Sequence, residues 1–247
     1  MGHKMRYALI SDLHGNLEAL RVVLHHIDRE QPDRLVCLGD LVGYGADPEG
    51  CIDIVRERTD RVVAGNHDWA AIGRTDISYF NPYARAAVLW TQGRLGDFHR
   101  RYLERLPLAL QEGELYFVHS TPERPEEWNY IFSRAQAAYY LSQLPHRICF
   151  IGHSHIPAAF VLRGNEVVLA PGPSFRIPIE PDLRYLINVG SVGQPRDGDN
   201  RAAYAVLDLV EQVVEVKRVP YDIPAAQRKI LKAGLPELLA ERLQYGQ

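Results

Sequence analysis

Three short apolar runs near the start of the chain each stop at residues that bind metals or protons. Met5 to Ser11 gives way to Asp12-Leu13-His14-Gly15-Asn16, Arg34 to Leu38 to Gly39-Asp40, and Arg61 to Ala64 to Gly65-Asn66-His67-Asp68. Short apolar runs bounded by turn residues read as buried strands. Between the first two, Leu17, Leu20, Val23, Leu24 and Ile27 recur at helical spacing, with Asn16 placed to cap the helix and Gln31-Pro32 to end it. His25 and His26 belong to this helix and are expected at its surface or in satisfied structural positions. Asp47-Pro48 opens a second helix with proline at its first position. Strands alternating with helices form a parallel sheet through right-handed crossovers, and ligands of such sheets collect at C-terminal strand ends. An α/β protein with its chemistry along one sheet edge is the expectation.

Further along, Ile148-Cys149-Phe150 leads into Ile151-Gly152-His153-Ser154-His155. Residues i and i+2 of an extended chain project to one side, so both imidazoles are expected to face one spot, with Gly152 allowing close approach. Alone, the pair fits a surface turn about as well as a metal site. Leu108 to Leu110 and Leu115 to Val118 suggest a hairpin around Glu112-Gly113 that delivers His119-Ser120. Phe160 to Leu162 and Glu166 to Leu169 suggest another around Arg163-Gly164-Asn165, and Ser133 to Leu144 reads as a helix. Arg184 to Val189, Ala202 to Leu209 and Gln212 to Val219 alternate, and are assigned to a second, largely antiparallel sheet. Residues 69–106, rich in arginine and aromatics, read as a helical excursion over the sheet edge where substrate selection could sit. A helical tail begins near Pro224, is interrupted at Gly234-Leu235-Pro236, and carries no recognisable chemistry. With no repeat and no linker, residues 1–247 are expected to form a single domain.

Bulk properties exclude several function classes. A formal charge of −3 argues against coating nucleic acid or a membrane surface, so nucleic acid is not expected as a stable partner, and an anionic substrate needs a local positive site. Cys37, Cys51 and Cys149 are odd in number and far apart, which suggests buried thiols in a reducing compartment rather than disulfides or a cysteine zinc site. No run approaches the ~18–20 apolar residues of a membrane span. No membrane partner is expected, and a cytoplasmic location is.

The strand-end set is Asp12, His14, Asp40, Asn66, His67, His119, His153 and His155, which takes five of the ten histidines. In this order, D-x-H, G-D, G-N-H-[DE], a lone H and G-H-x-H resemble the calcineurin-like metallophosphoesterase superfamily, over residues 5 to about 220. Asn188-Val189-Gly190-Ser191-Val192-Gly193 also resembles a late strand-turn of its small bacterial and archaeal phosphodiesterase branch. The resemblance implies an α/β fold, a four-layer α/β/β/α sandwich of two mixed sheets flanked by helices. It implies two metals, one held by Asp12, His14 and His155, the other by Asn66, His119 and His153, with Asp40 bridging them and His67 as general acid.

Imidazole and oxygen ligands suit two divalent transition-metal ions, Mn, Fe, Zn, Ni or Co. Such a pair clamps the attacking and leaving oxygens of an in-line displacement. Two divalent ions set against two carboxylates and a hydroxide leave about one positive charge to meet a phosphoryl group. The expected reaction is hydrolysis of a phosphodiester or small phosphomonoester by a hydroxide generated on the metals, while His67 protonates the departing alkoxide. Asp68 is the nearest candidate to fix the tautomer of His67. One departure matters: relatives that act on phosphoproteins and dinucleotides read G-D-x-x-D-R-G, whereas here Gly39-Asp40-Leu41-Val42-Gly43-Tyr44-Gly45 lacks the second acid and the arginine. Arg196 is either a substitute phosphate clamp or an exposed turn arginine. Tyr44 either lines the substrate cleft or, the safer reading, packs behind it. Rival functions are a protein phosphatase of the same chemistry, and a non-catalytic scaffold like the retromer subunit of this superfamily. A scaffold has no need of a complete ligand set.

Overall fold

The computed structural model describes residues 5–170 and 174–247. Strand β1 (Arg6–Ile10) crosses through α1 (Leu17–Glu30) to a parallel neighbour, β2 (Arg34–Cys37). Helix α1 forms where the apolar spacing predicts it. Asn16 Oδ1 accepts the Ala19 N–H at 3.1 Å, and Leu17, Leu20, Val23, Leu24 and Ile27 are buried. A left-handed Gln31 then ends it ahead of Pro32. Helix α2 (Pro48–Arg58) begins on its proline as expected.

The third expected strand is a correction. Arg61 to Ala64 makes one parallel bridge, Val62 to Cys37, because Ala64 N–H already turns away to Pro107 O and the next helix follows at once. That helix is α3 (Asn66–Ala71), and the excursion continues through α4 (Pro82–Arg94), capped by Asn81, and α5 (Asp97–Glu104). The hairpin of β3 (Ala109–Glu112) and β4 (Leu115–Val118) comes next. A 3-10 turn at Pro125–Glu127 leads to α6 (Arg134–Gln143), capped reciprocally by Ser133 and Gln136. There follow β5 (Ile148–Ile151), the hairpin β6 (Ala158–Arg163) and β7 (Glu166–Leu169), β8 (Arg176–Pro178) and β9 (Arg184–Asn188). The chain closes with β10 (Ala202–Asp208), β11 (Val213–Val219), α7 (Ile223–Lys232) and α8 (Glu237–Tyr245).

The sheet orders are β2-β1-β10-β11-β8 and β3-β4-β5-β9-β6-β7. Here the expected assignment fails for two strands: β10 and β11 lie in the first sheet, with β10 antiparallel to β1. Alternation shows that a strand has two different faces but not which free edge it joins. Buried along nearly its whole length, β10 fills the open side of β1 as a central strand. The second sheet is also less antiparallel than expected, since β4, β5 and β9 run parallel at its centre.

Side-chain alternation then builds four layers. Ala8 and Ile10 of β1 pack with Leu20, Val23 and Ile27 of α1, while Tyr7 and Leu9 face Phe117, Phe150 and Ile187 across the space between the sheets. On the far side, Cys149 and Ile151 pack with Ala137 and Leu141 of α6. The order is helices, sheet, sheet, helix. Phe117 and Phe150 stack at 5.8 Å in the central layer, where truncating Phe150 to alanine should cost about 3–5 kcal/mol. Helices α7 and α8 pack against Tyr44 and the Ala84 and Ala87 face of α4. Among the described residues no helix is long and apolar enough to cross a membrane, and all three cysteines are buried and free. The parallel strands of both sheets end toward one region, where Asp12, Asp40, His119 and the Gly152 turn meet.

Candidate metal centre

The backbone at this meeting point is strained. Asp12, His14, Asp40, His153 and His155 all have positive φ, between 50° and 67°. For residues with a Cβ this costs on the order of 1 kcal/mol each and persists only where the surroundings impose it. Cross-bonds between loops impose it here. Asp12 N–H donates to Gly39 O at 3.0 Å, His14 N–H to Asp40 O at 2.9 Å, and Gly193 N–H to Asp12 O at 2.9 Å. His153 and His155 therefore do not share the extended run expected for them. A tight turn in which Ser154 N–H reaches Gly152 O at 2.8 Å sends their rings to different partners. Gly152 is required for a related reason: a Cβ there would lie 1.9 Å from Ser11 Oγ and 2.6 Å from Asp12 Oδ2. Without a side chain, this turn can rest on the end of β1.

Two groups of ligand-type atoms result, each within a 4.8 Å span: Asp12, His14, Asp40 and His155, and Asp40, His119 and His153. Asp40 belongs to both. Its Oδ2 lies 3.4 Å from His119 Nε2 and 3.6 Å from His14 Nε2. Each imidazole is locked by a main-chain carbonyl on its other nitrogen: His14 Nδ1 by Val42 O (3.1 Å), His119 Nδ1 by Leu38 O (2.7 Å), His155 Nδ1 by Gln194 O (2.6 Å) and His153 Nε2 by Trp128 O (2.8 Å). A carbonyl only accepts, so each of these nitrogens carries a proton, and in the neutral rings of His14, His153 and His155 the opposite one presents a lone pair. His14 Nε2 and His155 Nε2 then face each other at 3.0 Å, two lone pairs with nothing of opposite sign between them. A cation resolves that repulsion. Among the described residues, Asn66 Oδ1 is buried without a hydrogen-bond partner, as a ligand atom would be. The donor set fits divalent transition metals: imidazole nitrogens, two carboxylates, an amide oxygen and no cysteine.

Charge agrees with geometry. Burial would raise the carboxyl groups of Asp12 and Asp40, but surrounding imidazoles, chiefly His155 for the first and His119 for the second, hold both well below the usual carboxylate range. Burial keeps His14, His155 and His153 neutral, the last pushed down to about 3. His119 alone goes up, to about 9, because Asp40 and Asp12 outweigh its burial. The centre favours positive charge at the spot where His119 and Asp40 meet.

His67 lies outside both groups. Its backbone N–H donates to Asp40 Oδ1 at 2.8 Å, its ring packs on Tyr44 at 4.5 Å and Phe80 at 5.2 Å, and its Nδ1 is buried without a partner among the described residues. A Cβ on Gly43, whose φ is 92°, would lie 2.5 Å from that Nδ1, so glycine is what admits the ring. Asp68 does not orient it, contrary to expectation. The Asp68 carboxylate points the other way and accepts the N–H groups of Asp40 (2.8 Å), Leu41 (2.9 Å), Val42 (3.3 Å) and Gly65 (3.0 Å), fixing the loop that carries Asp40. At the third position of α3, it faces back along the helix rather than toward its neighbour. Tyr44 is buried among the residues of α4, α7 and α8, and its ring also meets His14 at 4.7 Å. Arg196 is half-buried, holds Gln194 Oε1 at 2.7 Å and sits 5.4 Å over the Tyr44 ring.

Other contributors lie outside the strand-end set. Asn188 Nδ2 donates to Gly152 O and Ser154 Oγ, and Ser191 Oγ donates to Asp12 O at 2.8 Å, so the late strand-turn fastens the ligand turns of both sheets. Tyr130 stacks on His153 at 4.0 Å, with Phe132 on its other face at 5.2 Å. Tyr44, Asn66, His67, Tyr130 and His153 also line a cleft of about 700 Å³ that opens from the centre to solvent.

Comparison with known proteins places the whole chain beside proteins of the same fold. The uncharacterized protein MJ0912 of Methanocaldococcus jannaschii is 41% identical, covering 98% of this chain and 99% of its own. A metallophosphoesterase from Sphaerobacter thermophilus superposes with a TM-score of 0.86 at 40% identity, covering 98% of this chain and 99% of its own. The hypothetical protein PH1004 of Pyrococcus horikoshii shares the fold, with a TM-score of 0.79 at 18% identity and 98% of both chains covered. The model of the calcineurin-like phosphoesterase superfamily domain matches residues 5–212. With the strand-end ligands, the four layers and this match together, the chain belongs to the calcineurin-like phosphoesterase superfamily.

Proposed function

We propose that this protein is a metal-dependent hydrolase of a phosphodiester or small phosphomonoester. Asp12, His14 and His155 would hold one divalent ion, Asn66, His119 and His153 a second, and Asp40, which belongs to both groups, would serve the two. The observation that carries this reading is the shared Asp40 carboxylate, which stands between two imidazole groups whose tautomers are fixed by backbone carbonyls. Ions bound there would offset phosphoryl charge and make a water acidic enough to attack at neutral pH.

The chain's own residues supply the rest. His67 lines the cleft beside the ligands without belonging to either group. Burial, with Arg196, His155 and His119, lowers it to about 4 against the pull of Asp40, so it is neutral until an anion arrives. A phosphate ester in the cleft would raise its proton affinity and let it protonate the departing oxygen. Arg196 lies close enough for its charge to lower both His67 and His155, and it supplies the positive field that grips a phosphoryl oxygen.

The test is a panel of metal-reconstituted protein (Mn, Ni, Zn, Fe) against bis-nitrophenyl phosphate, nitrophenyl phosphate, glycerol phosphate and a phosphopeptide. Hydrolysis abolished by chelation and restored by metal is expected, and turnover indifferent to chelation sinks the reading. Activity on the phosphopeptide alone replaces it with a protein phosphatase. His67→Ala should keep its metal and lose roughly 10²–10⁴-fold in rate on alkyl esters, with a smaller loss on nitrophenyl esters, whose leaving group needs no proton.

A further inference from the structure

The cleft beside the centre is far larger than a phosphoryl group requires, at about 700 Å³, the size that holds a small organic molecule. Its wall is almost entirely aromatic or polar. Trp69, Tyr79, Phe80 and Trp128 line it, and Ala84 is the only aliphatic residue among those that do. An alkyl chain would be matched by aliphatic side chains, so this lining suits a flat ring. Trp69 and Trp128 meet edge to face at 5.4 Å, and Tyr79 stands 91% exposed at the rim, its ring without a partner among the described residues. Among the described residues, four polar atoms of the lining are buried and unpaired: Asn66 Oδ1 and His67 Nδ1, already assigned to the centre, and two with no role there, Trp69 Nε1, a donor, and Thr75 Oγ1, a donor and acceptor.

Those two atoms separate the candidate ligands. A quaternary ammonium group would enjoy the rings but offers no acceptor to Trp69 Nε1, and the face of Trp69 already carries the Arg74 guanidinium at 5.8 Å. A heteroaromatic base offers both a face to stack and ring-edge acceptors and donors. The carboxylates of Asp76, Glu126 and Glu127 also line the cleft, which opposes a polyanionic strand running outward from the single phosphate at the metals. Building on the phosphoesterase reading, we propose that this cleft is a subsite for a nucleobase, and that the substrate is a small nucleoside phosphate ester.

Two measurements on the full-length protein test this. Adenosine, which carries no phosphate, should quench the tryptophan fluorescence and bind at least ~10-fold more tightly than ribose, and Tyr79→Ala and Trp69→Phe should each weaken it by roughly 5- to 10-fold. Tyr79 is exposed enough that its variant folds, and Trp69→Phe keeps a ring while removing the N–H. In hydrolysis, adenosine 5′-monophosphate should exceed ribose 5-phosphate in kcat/KM by a similar factor, and both variants should narrow that ratio. Adenosine binding no tighter than ribose, or choline binding in its place, overturns the base subsite even if bis-nitrophenyl phosphate is hydrolysed. Adenosine binding that both variants weaken, with no ester turned over under any metal, upholds the subsite and overturns the phosphoesterase reading.

Discussion

The two halves of the candidate metal centre are built differently. Asp12, His14, Asp40 and His155 are at most 2% exposed, and the partners of their rings, Val42 O and Gln194 O, come from turns pinned between the sheets. Tyr44 and the α7–α8 pair back them from behind. His119 is equally buried, but His153 and Asn66 reach 5% and 7% exposure and border the cleft. The supports of His153, the Trp128 carbonyl and the Tyr130 ring, come from the segment between β4 and α6, outside both sheets. The inner half is thus a product of sheet packing and the outer half of a surface loop. Metal should exchange more readily at the outer half, which a substrate pressing on the loop can also reach.

The largest expected effect comes from the residue that the halves share. Asp40→Asn should empty both, seen as loss of metal by plasma mass spectrometry together with loss of hydrolysis; a variant that still carries a full complement would show that the halves are independent. Next come His155→Ala and His153→Ala, each read by calorimetric metal titration. Each should weaken one binding step by more than the ~10–100-fold that follows loss of a supporting hydrogen bond. If the comparison holds, His155→Ala removes the tighter step and His153→Ala the weaker; the reverse order breaks it.

Asp68→Asn should act on both halves alike. An amide has one acceptor oxygen for the four N–H groups that the carboxylate satisfies, so thermal unfolding should report a loss of about 1–3 kcal/mol, and the two binding steps should weaken together. The smallest change is Tyr130→Ala. With Tyr130 42% exposed, the melting temperature should hold while the weaker step alone loses about 10-fold in affinity. Equal weakening of both steps would remove the distinction between the halves.

The candidate ligands were picked out in the sequence for a local reason. Each stands just past a buried apolar run or the turn that follows it, and a strand end is where a sheet presents polar groups. What supports them was not legible. The carbonyls of Leu38, Val42, Trp128 and Gln194 decide the tautomers, and a carbonyl is common to every residue. The stack of Tyr130 on His153 joins residues far apart in sequence, with no spacing to mark it. Asp68 was placed beside its sequence neighbour, although a helix turns consecutive side chains apart. The same limit misplaced β10 and β11, because a pattern of alternation records burial on two faces and is silent about pairing partners.

The placement of β10 also bears on when the centre can first exist. Strand β1 carries Asp12 near the beginning of the chain, yet its second neighbour is β10, and the Ser191 and Asn188 fasteners lie just before that strand. A nascent chain that has emerged only through β9 has every candidate ligand but lacks the strand that closes one side of β1. Because pairings this distant in sequence form late, metal capture should wait until β10 (Ala202–Asp208) has left the ribosome and paired with β1. Until then the histidines are free to bind metal in non-native combinations, so the rate of refolding should depend on whether metal is added before or after the chain collapses.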